Sequence, residues 1–93
     1  MSGWTEVDAR GLLCPLPVLR LRKVLLSLPQ GAAVRLIATD PAAQIDVPHF
    51  CQATGHRLMS HAALTDGAWE YLVMRGNDVA TGGASPPGPP EDI

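Results

Sequence analysis

The sequence predicts an α+β two-layer sandwich in which two helices cover one face of a four-stranded mixed sheet, in the chain order βαβαββ. Three patterns predict this class. Two stretches carry apolar residues at helical spacing, and a mostly apolar run between them has the character of a central strand. An Asp-Gly pair then separates two strand-like runs in the second half of the chain. Two apolar helix faces need a shared surface on which to be buried, and one face of a sheet supplies it.

The first strand and the first helix are predicted before residue 29. Weak alternation over residues 4–9 predicts a short edge strand. A helix is predicted from Pro15 to Leu28, because proline is tolerated in a first helical turn and Pro29-Gln30-Gly31 is typical of a helix end. The core-facing residues of this helix are predicted to be Val18, Leu21, Val24, Leu25 and Leu28.

A central strand over residues 33–39 and a second helix follow. Asp40-Pro41 is typical of a helix start, and Gly55 is typical of a helix end. Pro48 lies inside this helix and predicts a kink or a restart, with Asp46 as a second cap. The core-facing residues are predicted to be Ala43, Val47, Phe50, Cys51 and Thr54.

The last two strands are predicted to form a hairpin. Residues 57–64 and 68–75 resemble strands, and Thr65-Asp66-Gly67 between them is typical of a tight turn. The second strand alternates between two sets of side chains, and the pattern alone does not decide which set faces the helices. One set is Trp69, Tyr71 and Val73, and the other is Glu70, Leu72 and Met74.

Composition and charge limit the classes of function. Residues 1–75 hold seven basic and six acidic side chains, too little net charge to argue for direct nucleic-acid binding. Residues 76–93 are rich in Gly and Pro, so we expect a domain over residues 1–75 and a disordered tail over residues 76–93. Two cysteines 37 positions apart do not make a disulfide scaffold. With no signal peptide and no apolar run of about 18 residues, we expect a cytoplasmic protein with reduced thiols and no membrane partner.

The stretch Gly-Leu-Leu-Cys-Pro-Leu-Pro at residues 11–17 is the candidate functional site. If Pro15 and Pro17 occupy the first and third helical positions, Cys14 is the N-cap. Its sulfur would then face the Leu16 N–H and the positive end of the helix dipole, which lowers the pKa of a thiol below its free value of about 8.5. Cys14 is therefore predicted to be a nucleophilic thiolate. The competing interpretation is that Cys14 is a buried apolar filler.

Basic and apolar residues share the outer side of the first helix. Arg20, Arg22 and Lys23 lie off the core-facing stripe, and Leu19 and Leu26 project among them. This is either a solvated surface with scattered leucines or a surface on which a partner docks beside the reactive thiol.

Two other kinds of cysteine site fit the sequence less well. A metal site would combine Cys51 with the three histidines His49, His56 and His61. Cys51 and His56 are five residues apart, which is not a standard ligand spacing, so no metal site is predicted. A thiol redox protein would need a resolving cysteine near Cys14, whereas Cys51 is predicted on a buried helix face.

Two blocks of the sequence carry a family resemblance. Residues 8–17, Asp-Ala-Arg-Gly-Leu-Leu-Cys-Pro-Leu-Pro, resemble the signature of the TusA-like (SirA-like) sulfur-carrier family, whose motif is Cys-Pro-x-Pro. The second block comprises residues 40–43, 46–51 and 55–56, and it is similar to the Asp-Pro…Asp-Ile-Pro-x-Phe-Cys segment of close members. The resemblance covers residues 5–75, the whole of the predicted domain.

The resemblance implies both a fold and an activity. The fold would be a two-layer sandwich like the C-terminal domain of bacterial translation initiation factor three. Cys14 would accept a sulfane sulfur as a persulfide from a cysteine desulfurase or a rhodanese-type donor and pass it to an acceptor protein. The acceptor would belong to tRNA thiolation, to molybdenum-cofactor synthesis or to sulfur oxidation. Such a protein is a sulfurtransferase-type carrier rather than a free-standing catalyst, and it needs no cofactor beyond the transient persulfide.

Residues around Cys14 are assigned supporting roles. Arg10 and Gly11 form the loop before the cysteine, and Pro15 and Pro17 follow it. Arg10 is either a residue that stabilises the sulfur anion or a solvated turn residue. Leu13 and Leu16 replace the charged or polar residues that tRNA-thiolation members often carry there, so an apolar collar is expected to dock on a different partner surface. A monomer is expected, because transient partners need this face uncovered. The alternative function is a non-catalytic or regulatory module that binds protein or RNA.

Overall fold

Four strands form one mixed sheet, and two helices cover one of its faces. The computed structural model describes residues 4–78. The strand order in the sheet is β1-β2-β4-β3; β1 is parallel to β2, and the other neighbours are antiparallel. The predicted fold class and chain order are therefore confirmed. The elements are β1 (Trp4–Ala9), α1 (Leu16–Leu26), β2 (Ala33–Ala38), α2 (Ala43–Thr54), β3 (Arg57–Ala63) and β4 (Trp69–Met74).

The core lies between the helices and one face of the sheet. The central strand β2 contributes Val34, Leu36 and Ala38, all fully buried. Tyr71 and Val73 of β4 are buried in the same cluster, and Trp69 packs against it. The set of β4 side chains that faces the helices, which the sequence left open, is therefore Trp69, Tyr71 and Val73. The helices complete the core with Leu21, Leu25, Ala43, Val47 and Cys51.

Helix α2 runs without interruption through Pro48, so the predicted restart at Asp46 was wrong. Proline removes one backbone hydrogen bond from the interior of a helix. Ala43, Val47 and Cys51, spaced by four residues on either side of that gap, are all buried. Burial of this stripe offsets the loss, because the packing of one apolar face supplies most of the stability of a helix in a folded protein.

Turns at glycines position the later elements. Gly55 ends α2 in the left-handed conformation (φ 88°), and its N–H donates to the Cys51 carbonyl at 3.0 Å. The hairpin between β3 and β4 forms where it was predicted: the Leu64 N–H donates to the Ala68 carbonyl at 2.8 Å, and Gly67 has a φ of 86°.

The chain after β4 packs against α1 and against the segment between α2 and β3 through three side chains, which we call the Asp78 cluster: Asp78, His56 and Arg22. Asp78 Oδ2 lies 2.7 Å from His56 Nε2, and Asp78 Oδ1 accepts from Arg22 at 2.7 Å. The side chains of His56 and Asp78 are 0% and 4% exposed. Packing therefore continues at least to Asp78, beyond the predicted domain boundary at residue 75. The rest of the predicted tail, residues 79–93, lies outside the described residues.

Candidate functional site

Cys14 lies in the loop that leaves the carboxyl end of β1. Because β1 and β2 are parallel, the loop after each strand emerges at the same edge of the sheet. The two loops are joined by hydrogen bonds. The Gly11 N–H donates to Thr39 Oγ1 at 2.9 Å, and the Cys14 N–H donates to Asp40 Oδ2 at 2.7 Å.

Asp40 connects the cysteine loop to the start of α2. Its second carboxylate oxygen accepts from the Ala42 N–H at 3.0 Å. The N-cap of α2 is Ala42 and its first helical residue is Ala43, so the helix begins two residues later than the Asp40-Pro41 pattern predicted. The hydrogen bonds from the N–H groups of Ala42 and Cys14 hold the pKa of Asp40 below its usual value. Asp40 is therefore ionised at neutral pH, and it places a negative charge beside Cys14.

Helix α1 begins one residue later than predicted. Pro15 is the N-cap, Leu16 is the first helical residue and Pro17 is the second, so Cys14 precedes the cap. The Cys14–Pro15 peptide bond is cis. The Leu16 N–H donates to the Leu13 carbonyl at 2.8 Å, so its predicted interaction with the sulfur was wrong. The Leu16 N–H closes a tight turn over residues 13–16, so it is not available to the Cys14 sulfur.

The Cys14 thiol is exposed and faces carboxylates. Its hydrogen bond with Asp46 raises the pKa of the thiol, and partial loss of hydration and the negative charges of Asp46 and Asp40 raise this pKa further. The predicted lowering of the Cys14 pKa was therefore wrong, and the thiol is the resting form at neutral pH. The exposure of Cys14 also rejects the buried-filler interpretation.

An open groove of about 450 Å³ runs between α1 and α2 at this cysteine. Most of its walls are apolar, and Asp46 and His49 are its ionisable wall residues besides Cys14. The Phe50 ring in one wall stacks on His56, with ring centroids 5.5 Å apart. The groove is lined by Cys14, Pro15, Val18, Asp46, His49, Phe50 and Ala53.

Comparisons with known proteins identify the family of this chain. The model of the family described as sulfurtransferase TusA matches residues 5–75. The chain belongs to the TusA family. A sulfur carrier protein TusA from Pseudomonas syringae pv. syringae (strain B728a) is 40% identical over 73 residues, which cover 78% of this chain and 86% of the relative. A second sulfur carrier protein TusA, from Pseudomonas savastanoi pv. phaseolicola (strain 1448A / Race 6), is 38% identical over 72 residues, covering 77% and 84%.

A solved structure supports the fold. The SirA-like protein from Desulfitobacterium hafniense aligns with a TM-score of 0.70 and 23% sequence identity, covering 77% of this chain and 97% of that chain. At this identity the likeness concerns the fold alone. The TusA-family resemblance drawn from the two sequence blocks is confirmed by the family match.

Other residues assigned to the site from the sequence are Arg10, Gly11, Leu13 and Leu16. Arg10 faces Asp8 and Asp66, with nitrogen–oxygen distances of 3.6 and 4.0 Å, and its assignment to the sulfur anion stays a prediction. Gly11 adopts a φ of 80°, which suits the turn out of β1. Leu13 and Leu16 are 69% and 49% exposed beside the cysteine.

The basic residues of α1 divide into two groups. Arg20 and Lys23 are exposed. Arg22 is half exposed, but it forms an ion pair with Asp78, which partly neutralises its charge. The predicted docking surface thus keeps Arg20 and Lys23 as its more available cations.

Sequence reasoning did not assign Asp40, Asp46, His49 or Phe50 to the site. A signal was present: residues 46, 49, 50 and 53 are spaced i, i+3, i+4 and i+7, which places them on one side of a helix. That side of α2 faces Cys14, which lies more than thirty residues earlier in the sequence. The periodicity of α2 shows which residues share a side but not what that side contacts.

Cys51 is a core residue, as predicted. It is 3% exposed, and burial raises its pKa to about 11. Within residues 4–78, no cluster of three or more His, Cys, Asp or Glu side chains could hold a metal ion. Neither helix of this part of the chain is long and apolar enough to span a membrane.

Proposed function

We propose that this protein is a sulfur carrier that accepts a sulfane sulfur on Cys14 as a persulfide and passes it to an acceptor protein. The observation that carries the proposal is the contrast between the two cysteines: Cys14 is exposed at the mouth of a groove, whereas Cys51 is buried. A protein-to-protein transfer requires a sulfur that a second protein can reach. Membership of the family, and relatives named sulfur carrier protein TusA, support the same function.

The proposed chemistry is two successive exchanges at sulfur. Cys14 Sγ attacks the outer sulfur of a donor persulfide, a new S–S bond forms, and the bond to the donor cysteine breaks. The donor leaves as a thiolate, and the proton of Cys14 passes to that thiolate or to water. An acceptor thiolate then attacks the outer sulfur of the Cys14 persulfide and restores Cys14. No electrons are gained or lost overall, so the proposal requires no cofactor.

The partners are proposed to be a cysteine desulfurase or rhodanese-type donor and a downstream acceptor protein. Leu13 and Leu16 offer these partners an apolar collar around the sulfur, and Arg20 and Lys23 offer nearby positive charge. A carrier whose thiol must stay reduced belongs in a reducing compartment, so the cytoplasm is its proposed location. The acceptor pathway is proposed to be tRNA thiolation, cofactor synthesis or sulfur oxidation.

Intact mass spectrometry tests the proposal. The reduced protein is mixed with a cysteine desulfurase and cysteine, and separately with a rhodanese and thiosulfate. We expect a gain of one sulfur atom that is reversed by reductant, retained in Cys51→Ser and absent in Cys14→Ser. A gain on Cys51 would refute the assignment of the site. No gain from either donor would favour a module that binds protein or RNA without carrying sulfur.

A further inference from the structure

Two carboxylates near Cys14 contact different parts of the residue. Asp40 accepts from the backbone N–H, which fixes the loop. Asp46 lines the same groove as Cys14, and its carboxylate acts on the thiol itself, which is the reacting group of the proposed function. Asp46 is partly buried in the wall of the groove, one turn into a helix whose adjacent face is anchored in the core by Ala43 and Val47. Its position relative to the sulfur is therefore set by the packing of α2.

The ionisable groups around the sulfur are few. Asp40 faces it from the segment between β2 and α2, and Asp46 and His49 line the groove from α2. Helix α1 contributes Val18 to the groove and no charged side chain. The local charge at the sulfur is thus set mainly by the two carboxylates, and Asp46 is the one in contact with the thiol.

Resting on the proposed function, we infer that Asp46, which lines the same groove as Cys14, is a positioning residue that orients the Cys14 thiol and disfavours the charged persulfide, so that the sulfur is passed on. The orienting part follows from the hydrogen bond. Only the unloaded cysteine has a proton on Sγ to donate, so this contact is lost when Sγ gains its second sulfur.

The effect on the loaded carrier follows from charge. A hydropersulfide is a stronger acid than the parent thiol, because the adjacent sulfur stabilises the anion. Loading at neutral pH therefore places negative charge where the thiol was neutral. A like charge nearby disfavours an anion, so Asp46 shifts the exchange equilibrium toward the unloaded carrier. A carrier with this bias gives up its sulfur more readily than one with a neutral side chain at residue 46.

Asp46→Asn tests the inference, because it keeps the shape of the side chain and removes its charge. Glu6→Gln is the matched control; it removes one carboxylate from β1, outside the groove, where the partner of Glu6 is Arg35. The first readout is the pH profile of Cys14 alkylation by iodoacetamide in the full chain. We expect the midpoint to move to lower pH in Asp46→Asn alone, and the rate at pH 7 to rise about tenfold for each pH unit by which the midpoint falls. Asp46→Glu, which keeps a carboxylate, should restore part of the original profile.

The second readout is the fraction of Cys14 that carries sulfur at equilibrium with glutathione and glutathione persulfide. We expect this fraction to rise several-fold in Asp46→Asn and to be unchanged in Glu6→Gln. An alkylation midpoint that does not move overturns the inference, whether or not the chain takes up sulfur. If the alkylation midpoint shifts but the fraction of Cys14 that carries sulfur does not change, the inference that Asp46 promotes release of the sulfur is overturned. Failure of every variant, and of the natural chain, to take up sulfur refutes the proposed function, while the alkylation profile still decides whether Asp46 controls the thiol.

Discussion

Replacing Asp78 by alanine is expected to cost far more stability than replacing its partner Arg22. Both residues belong to the Asp78 cluster, but their surroundings differ. The Arg22 side chain is 49% exposed, whereas the Asp78 side chain is 4% exposed and the His56 side chain is fully buried. Water can therefore solvate Arg22 when the ion pair is lost, but it cannot reach the His56 ring.

The magnitude follows from the hydrogen bonds of His56. Its Nδ1 accepts from the Gly76 N–H at 2.9 Å, so Nε2 carries the proton that is donated to Asp78. Asp78→Ala leaves that buried donor unpaired, which costs about 1–3 kcal/mol. The exposed pair with Arg22 adds about 0–1 kcal/mol, the usual range for surface ion pairs. We expect a loss of about 2–3 kcal/mol for Asp78→Ala and at most about 1 kcal/mol for Arg22→Ala.

Urea unfolding of the full chain, followed by tryptophan fluorescence, measures both variants. In thermal unfolding the same loss for Asp78→Ala is a drop in Tm of about 10–20 °C for a domain of this size. Asp78→Asn keeps an acceptor oxygen for His56, so its loss should lie between those of the two alanine variants. Equal losses for Asp78→Ala and Arg22→Ala would refute this reasoning.

Lowering the pH should remove the contribution of Asp78 to the free energy of unfolding. Burial raises the pKa of this carboxyl, but the hydrogen bonds from Arg22 and His56 and the positive charge of Arg22 outweigh burial and lower the pKa overall. A group whose pKa is lower in the folded state stabilises the fold above its unfolded pKa of about 3.9 and loses that effect as the pH falls through the folded pKa. The stability difference between the natural chain and Asp78→Asn should therefore shrink below about pH 4, and a constant difference down to pH 2 would contradict this account.

Three further outcomes are expected. Tyr71→Phe should raise the free energy of unfolding by up to about 1–2 kcal/mol, because the buried Tyr71 hydroxyl makes no hydrogen bond within residues 4–78; a loss in urea unfolding would show that the hydroxyl has a partner. Gly76→Ala should cost about 1–3 kcal/mol, because a Cβ there would lie 1.9 Å from the Gly55 carbonyl oxygen; an unchanged Tm would contradict that close approach. Reversing the charges of Arg20 and Lys23 together should slow sulfur loading by a donor protein without changing the Tm, and an unaltered rate with both donor classes would remove the docking surface.

Local patterns in the sequence predicted the elements of this fold well. Helical spacing and the Asp-Gly turn each depend on neighbours within a few residues, and the structure places α1, β2 and the hairpin close to the predicted bounds. Pro48 is the exception. A proline in a helical stretch shows from the sequence that one backbone hydrogen bond is missing. The burial of Val47 and Cys51, which compensates for that loss, depends on packing against the sheet and is not visible in the local pattern.

The candidate site was predicted only in part, for a related reason. Cys14 was identified from its own segment, but the sign of its pKa shift depends on Asp40 and Asp46, which are 26 and 32 residues away in the sequence. Parallel pairing of β1 with β2 brings these groups together, and the turn that uses the Leu16 N–H removes the expected stabilising donor. The aspartates had been interpreted as helix caps, and only the topology shows that they also face a thiol.

The carboxylates at Cys14 have a consequence for oxidative damage. An exposed cysteine meets peroxide whenever it is not covered by a partner, and oxidation to sulfenic and then to sulfinic acid proceeds through the thiolate. Since Asp46 and Asp40 keep Cys14 protonated, the waiting carrier presents little of the form that peroxide attacks. The carboxylates that raise the pKa of the unloaded thiol are therefore expected also to protect it from peroxide between encounters with partner proteins.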